Sequence, residues 1–152
     1  MGKKVLIIST SLRPNANSEI LARETERGAK DAGHEVEFVT LKDKVINFCK
    51  GCLACQKLGK CVINDDANEI TSKMKEADVI VWATPVYYYE MSGQMKTLID
   101  RANSLFDRQE FHRNLCYYNI CRFFKRCCSN CFEWCKWLKK TYSPCIRCFR
   151  KL

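Results

Sequence analysis

Two short apolar runs constrain the fold of this chain most. "KVLIIST" at residues 4–10 and "DVIVWATP" at residues 78–85 are too short for buried helices, and each ends in a polar or proline-containing stretch. Such runs are typical of strands that are buried on both faces of a parallel sheet. The first run is also too short for the apolar region of a signal peptide, so we expect a strand at this position.

Helical patterns alternate with these strands. Between Asn17 and Gly33, small and apolar residues recur on one helical face, with Asn17 or Ser18 as the predicted N-cap and Gly33 as the stop signal. "HEVEFVTL" at residues 34–41 alternates as a half-buried strand does. A helix therefore lies between the first two predicted strands.

Two further helices complete the pattern. At "DDANEI", Asp66 and Glu69 have the spacing of a capping box, which predicts a helix that begins there and runs to about residue 77. The next helix carries an apolar stripe made of Met91, Met95, Leu98 and Ala102. The order β-α-β-(Cys loop)-α-β-α predicts an α/β fold with a parallel sheet and helices on both faces.

The net charge of +9 lies entirely in the last third of the chain. Residues 1–107 contain 15 basic and 15 acidic residues, whereas residues 108–152 contain 11 basic and two acidic ones. The neutral first part gives no reason to predict nucleic-acid binding. No apolar run reaches the roughly 18 residues of a membrane span. We therefore expect a cytoplasmic protein, in which structural disulfides would be rare.

The polar segment that follows the first strand has the composition of an anion site. A loop that leaves a buried strand and enters a helix presents free backbone N–H groups and the positive end of the helix. Neither a dinucleotide fingerprint nor a P-loop is present. The alternative is a solvated loop with ordinary capping. The residues that could bind an anion are Ser9, Thr10, Ser11, Arg13, Asn17 and Ser18.

Three motifs resemble one protein family, the flavodoxin-like NAD(P)H-dependent FMN reductases, and within it the iron–sulfur flavoproteins and their cluster-less relatives. "STSLRPNANS" is similar to the phosphate loop G-S-x-R-x-x-x-N-S/T of that family, with Thr10 in place of the usual glycine. "ATPVYYYEMSGQMKTLIDR" is similar to its second flavin loop, and "GCLACQKLGKCVINDD" to the cysteine loop of that branch. The resemblance covers about residues 3–108.

The resemblance implies a strand order of 2-1-3-4-5, with FMN at the carboxyl ends of strands 1 and 3. It also implies NAD(P)H as electron donor and a homo-oligomer, either a dimer or a tetramer. No catalytic side chain is predicted because the flavin carries the redox chemistry, and His34 and His112 are interpreted as surface or structural residues. The three tyrosines could instead pack in the core. The predicted cofactor-binding residues are Ser9, Ser11, Arg13, Asn17, Ser18, Thr84, Pro85, Val86, Tyr87 and Tyr88.

Four cysteines follow the second strand with the spacing C-x₂-C-x₂-C-x₅-C, at Cys49, Cys52, Cys55 and Cys61. A compact run of this kind can hold three corners of a [4Fe–4S] cluster, and the iron–sulfur flavoproteins that the chain resembles have this arrangement. A Cys₄ zinc site is a second interpretation. The third is a cysteine-rich loop without metal, as in the cluster-less relatives.

The chain changes character after about residue 110. We therefore divide it into a flavodoxin-like FMN-binding domain at 1–110 and a basic, Cys-rich tail at 111–152, in which no fourth strand is recognisable. One interpretation of the tail is translation out of frame, because a shift of one nucleotide turns Cys codons into Ala or Val codons. The others are a genuine divergent tail and a zinc module formed by Cys128, Cys131, Cys145 and Cys148.

The predicted function is that of an FMN-dependent oxidoreductase, which uses NAD(P)H to reduce flavin, quinone or a similar small electron acceptor. The alternative is a non-enzymatic electron-transfer flavoprotein that serves protein partners.

Overall fold

The computed structural model describes residues 2–105 and the backbone of residues 115–119. Strands and helices alternate in the predicted order, and a short β-hairpin and a short helix are added. The strands are β1 (Lys4–Ser9), β2 (Glu35–Thr40), β3 (Val79–Thr84), β4 (Val86–Tyr87), β5 (Glu90–Met91) and β6 (Leu115–Asn119). The helices are α1 (Asn17–Asp31), α2 (Ala54–Leu58), α3 (Asp66–Glu76) and α4 (Gly93–Arg101), followed by a 3₁₀ turn at Ala102–Leu105.

The main sheet is parallel and has the strand order β2-β1-β3-β6. The predicted α/β class is confirmed, and the four strands lie as expected for the first four of a 2-1-3-4-5 sheet. The fifth predicted strand falls outside the described residues. The fourth strand, which was not recognisable in the sequence, is β6, and it pairs with β3 from Leu115 opposite Ile80 to Asn119 opposite Thr84. Ladder pairing uses backbone groups, so a segment without a clean apolar period can still form a strand.

Helices cover both faces of the sheet, as predicted. On one face, Ile7 and Val81 pack with Ala22 of α1. On the other face, Ile8 and Trp82 join a larger core, to which α3 and α4 contribute Ile70, Met74, Met95 and Leu98. This two-sided burial explains why β1 and β3 are continuous apolar runs rather than alternating ones.

The start of α1 differs from the prediction. Its N-cap is Ala16, and no side chain accepts a hydrogen bond from the first turn. Asn17 and Ser18 both lie inside the helix instead of capping it. The positive end of α1 is therefore left without a protein partner in the described part of the chain.

The start of α3 is shifted by one residue. Asp65, not Asp66, is the N-cap, and its carboxylate accepts from the Ala67 N–H at 3.2 Å. Asp66 instead accepts from the Val45 N–H at 2.7 Å. Glu69 forms ion pairs with Lys44 and Lys73 rather than closing a capping box.

Candidate functional site

The candidate site lies at the point where the order of the strands in the sheet reverses. Strands β2 and β3 lie on opposite sides of β1, so the strand order reverses here, and ligands of open α/β sheets bind in the crevice outside the carboxyl ends of the strands at such a point. The first connection comprises residues 10–16 and the second residues 85–92. The Thr10 N–H donates to the Ala83 carbonyl at 2.9 Å, which holds the start of the first connection against β3.

A buried cluster of three hydroxyl groups joins the two connections. Ser92 Oγ lies 3.0 Å from Thr10 Oγ1 and 3.2 Å from Thr84 Oγ1, and all three side chains are almost fully buried. The Ser92 N–H also donates to Thr84 Oγ1 at 3.2 Å. Thr10, which replaces the glycine of the family motif, is thus one member of this cluster.

Ser92 was missed in the sequence analysis. It is the N-cap of α4, and its Oγ accepts from the Met95 N–H at 3.4 Å. A serine three residues before the first buried position of a helix is a recognisable start signal, so this role could have been read from the sequence. Its contact with Thr10 could not, because the two residues are 82 positions apart.

Two buried hydroxyl groups without a partner flank the connection between β1 and α1, one at the end of β1 and one in the first turn of α1. Ser9 is 1% exposed and Ser18 is 5% exposed, and neither Oγ has a hydrogen-bond partner within the described ranges. Buried polar atoms in proteins are normally hydrogen-bonded, so two such atoms at the two ends of the β1–α1 connection need an explanation. A bound anion would supply one, because it accepts from hydroxyl groups and from backbone N–H groups.

The other residues predicted for this loop surround the same helix end. Ser11 is buried and its Oγ donates to the Arg13 carbonyl at 3.2 Å, which stabilises the turn. The side chains of Arg13 and Asn17 are exposed. All five predicted residues of the first loop therefore lie in the β1–α1 connection or at its ends.

The second connection forms a small hairpin from β4 and β5. Thr84 is buried, and Pro85 and Val86 are half-buried. The interpretation of the tyrosines as core residues was wrong, since Tyr87, Tyr88 and Tyr89 are 57%, 96% and 63% exposed.

The turn of this hairpin is strained. Tyr88 and Tyr89 have φ angles of 49° and 67°, which are left-handed values that non-glycine residues seldom adopt. Two such residues between paired strands correspond to a type I′ turn, where Asn-Gly is usual. Strain of this kind is concentrated at functional sites.

The four predicted cluster ligands are not gathered into one site. Cys49 and Cys52 are exposed, Cys61 is half-buried, and Cys55 is buried and accepts from Asn103 Nδ2 at 3.6 Å. Among the described residues, no group of three or more His, Cys, Asp or Glu side chains could hold a metal ion. The thiols as arranged here do not fit a cluster, because Cys55 turns inward while Cys49 and Cys52 face solvent.

A buried ion pair lies at the base of this cysteine loop, and sequence analysis missed it. Arg101 and Asp65 form two hydrogen bonds, with Nη1–Oδ2 and Nη2–Oδ1 distances of 2.6 and 2.8 Å. Burial alone would raise the pKa of Asp65, but hydrogen bonds from Arg101 and Asn47 outweigh burial and lower this pKa to about 2. The Asp65 carboxylate raises the pKa of Arg101, burial opposes this, and the Cys61 side chain adds to the rise.

His34 lies away from the candidate site. His34 Nδ1 accepts from the Lys3 N–H at 3.3 Å, beside the amino end of β1 and thus at the opposite end of the strand from the crevice. His112, like the Cys-rich zinc module proposed for the tail, lies outside the described residues.

Comparison with known proteins links the chain to flavin enzymes. Residues 3–116 match the model of the family described as NADPH-dependent FMN reductase. An iron–sulfur flavoprotein of Methanocaldococcus jannaschii is 47% identical over 102 residues, which are 67% of this chain and 53% of that protein. The chain thus spans about half the length of the curated relatives that it matches.

Solved structures agree with this fold. A flavone reductase superimposes with a TM-score of 0.51 at 32% identity, over 64% of this chain and 29% of that one. An NAD(P)H:quinone oxidoreductase from Methanothermobacter marburgensis gives a TM-score of 0.56 over 67% of this chain and 53% of that one, and at 16% identity it supports the fold alone. In the described part of the chain, no helix has the length and apolar character needed to cross a membrane. The family match covers most of the chain, and the chain belongs to the NADPH-dependent FMN reductase family.

Proposed function

We propose that this chain binds FMN at the carboxyl ends of β1 and β3 and acts as an NAD(P)H-dependent oxidoreductase for flavin, quinone or a similar small acceptor. The observation that carries the proposal is the uncapped N-terminus of α1 together with two hydroxyl groups that are buried without partners, those of Ser9 at the end of β1 and Ser18 in the first turn of α1. A phosphate monoester at this helix end would accept hydrogen bonds from both hydroxyl groups and from the backbone of the first turn.

The residues of the crevice fit the other parts of FMN. In this proposal, Ser11, Asn17 and Arg13 complete the phosphate site, and the segment Thr84–Tyr88 lies along the isoalloxazine ring. The exposed tyrosine rings of the hairpin supply apolar surface that can cover the flavin and exclude water. FMN, when bound, supplies the hydride and electron chemistry, so the chain needs no nucleophile and contributes binding and orientation.

The comparisons support a reductase rather than another flavin protein. The matching family is described as NADPH-dependent FMN reductase, and a structure at 32% identity is a flavone reductase. We extend the proposal to a cytoplasmic homo-oligomer, a dimer or a tetramer, whose size light scattering of the FMN-loaded protein would report.

Replacing Arg13 tests the phosphate site. Arg13→Ala should weaken FMN binding by about 1.5–3 kcal/mol, the range for a hydrogen bond to a charged group, in a fluorescence titration of the apoprotein. The matched control is Arg27→Ala, because Arg27 is also exposed but lies in the third turn of α1. Equal FMN affinities for the two variants would contradict the assignment.

The second candidate is an electron carrier that serves protein partners. The exposed tyrosines favour it, because aromatic residues are enriched where proteins dock. Steady-state NAD(P)H oxidation with added flavin or quinone separates the two candidates. The oxidoreductase turns over many times per FMN, whereas a carrier shows no turnover until a protein partner is added.

We also propose that the chain binds a [4Fe–4S] cluster in addition to FMN. Its ligands would be Cys49, Cys52, Cys55 and Cys61. The C-x₂-C-x₂-C-x₅-C spacing and the names of the iron–sulfur relatives support it, whereas the thiol arrangement described above does not. Anaerobic reconstitution with iron and sulfide decides whether the cysteine loop binds a cluster or no metal. Iron below about a tenth of an equivalent contradicts the cluster, and iron that is lost in each Cys→Ser variant while FMN remains supports it.

A further inference from the structure

Arg101 connects both ends of the cysteine-containing segment 47–65. Its Nη1 donates to the Asn47 carbonyl at 2.9 Å, at the start of the segment. Its Nη2 donates to the Ile63 carbonyl at 3.1 Å, near the end. The two hydrogen bonds to the Asp65 carboxylate hold the guanidinium group in the plane that makes these contacts. All four predicted cluster cysteines lie between the two ends.

The ion pair is buried and belongs to a wider network. The Arg101 side chain is 0% exposed and that of Asp65 is 3% exposed. Asp65 Oδ2 also accepts from the Asn47 N–H and from Asn47 Nδ2, at 2.9 and 3.1 Å. Asn68 Nδ2 donates to the Ile63 carbonyl at 2.9 Å. These contacts involve only side chains and backbone of the chain, so they close the segment without a metal.

The turn that follows α4 contacts one of the four cysteines. Asn103, two residues after Arg101, donates to Cys55 Sγ at 3.6 Å. Cys55 is buried, whereas Cys49 and Cys52 are exposed. The closed segment thus has an inner side, where Cys55 is covered, and an outer side, where two thiols are open to a ligand.

We propose that Arg101 is a positioning residue for the cysteine segment: paired with Asp65, it folds the segment in metal-free protein, keeps Cys55 covered and presents Cys49 and Cys52. A lysine cannot replace it, because a single ammonium group does not contact both carboxylate oxygens and two carbonyl groups in one plane. Loss of one partner leaves a buried charge without compensation, which strongly favours local opening of the segment. The proposal concerns the cysteine segment and is independent of FMN binding.

Site-resolved alkylation of metal-free protein tests the proposal. The full chain is treated with a chelator and a reductant, exposed briefly to N-ethylmaleimide, and digested, so that mass spectrometry gives a rate for each cysteine. In the unmodified chain, Cys49 and Cys52 should react fast and Cys55 slowly. In Arg101→Lys, the rate at Cys55 should rise by at least about tenfold, because the segment opens locally, while the rates at Cys49 and Cys52 change little. Arg27→Lys, at an exposed position, is the matched control and should leave all these rates unchanged.

A second variant covers the case in which Arg101→Lys fails to fold. The pair Arg101→Met with Asp65→Leu removes both buried charges, so the core should persist in far-UV circular dichroism while the carbonyl groups of Asn47 and Ile63 lose their donor. Fast alkylation of Cys55 in this folded variant supports the proposal. Slow alkylation of Cys55 in the folded variants overturns it. Fast alkylation of Cys55 in the unmodified chain after chelation also overturns it, because closure would then depend on metal.

Discussion

Ser92 illustrates how one small side chain can hold together the two connections that follow β1 and β3. Its hydroxyl group contacts Thr10 in the first connection and Thr84 at the start of the second, and it caps α4 as well. The three hydroxyl groups are buried, and their mutual hydrogen bonds add to those that Thr10 and Thr84 donate to the Ala83 and Pro85 carbonyl groups. The identity of residue 10 is therefore linked to that of residue 92.

Ser92→Ala should lower the free energy of unfolding by about 1–2 kcal/mol, because α4 loses its cap and the buried hydroxyl groups of Thr10 and Thr84 each lose one hydrogen-bond partner. Urea denaturation measures this change. Ser72→Ala, at an exposed helix position, is the control and should cost less than about 0.5 kcal/mol. If both variants lose the same small amount, the hydroxyl cluster contributes nothing to stability.

Asp65 makes stability depend on pH in the acid range. Its pKa is lowered from the ordinary value of 3.8 to about 2, so the folded state binds this proton less readily than the unfolded state. The resulting stabilisation, about 2 kcal/mol, is present above pH 4 and is lost as the pH falls through about 2. The difference in unfolding free energy between the unmodified chain and Asp65→Asn should therefore narrow between pH 4 and pH 2. A difference that stays constant over this range would contradict the ion pair.

Among the elements, the β4–β5 hairpin combines exposure with backbone strain. Tyr88 and Tyr89 occupy turn positions that favour Asn and Gly. We interpret the strain as the cost of placing aromatic rings at the mouth of the proposed flavin site.

Tyr88→Asn combined with Tyr89→Gly should relieve this strain. We expect the free energy of unfolding to rise by about 1–2 kcal/mol and the melting temperature by a few degrees. Calorimetry of the FMN-free protein is the measurement. The matched control is Tyr88→Phe, at the position that is 96% exposed, which keeps the ring and the strain and should leave the melting temperature unchanged. A lower melting temperature for the Asn-Gly variant would show that the tyrosine rings stabilise the hairpin more than the backbone strain costs.

The molecule as a whole has a neutral α/β part followed by a strongly basic segment. The backbone of β6 shows that the sheet extends beyond residue 110, into the region where the cysteines and the charge accumulate. The family match ends at about the same place, at residue 116. An out-of-frame origin of the following sequence therefore remains our hypothesis for the tail.

Reading the coding DNA one nucleotide forward from near residue 115 should give a strand that ends in Ala-Thr-Thr or a similar sequence, followed by a helix. A chain made in that frame should bind FMN more tightly and melt at a higher temperature. The reason is that added strands and helices would bury apolar surface, at about 25 cal/mol per Å². Calorimetry and FMN titration of both chains are the measurements. An early stop codon in the shifted frame would end the hypothesis, as would stoichiometric zinc on Cys128, Cys131, Cys145 and Cys148.

The fold class followed from the sequence because two strands that are buried on both faces must be continuous apolar runs, and the helices between them must carry one apolar face. The connection between β1 and α1 was predictable for a similar local reason, since Ser9 to Ser18 link a strand to a helix within one short segment, and anion binding there stays a prediction. Local composition was sufficient for both predictions, because neither depends on which distant residue lies nearby.

Tertiary structure alone decided the contacts between distant segments. Thr10 meets Ser92 across 82 positions, and Arg101 meets Asn47 across 54. The fold of the cysteine segment buries Cys55 and leaves Cys49 exposed. The spacing of the cysteines in the sequence could not predict this difference. The spacing of the four cysteines indicates which side chains could bind a metal. The positions of the four thiols in space depend on the hydrogen bonds that close the loop. Those bonds come from a helix that lies far away in the sequence.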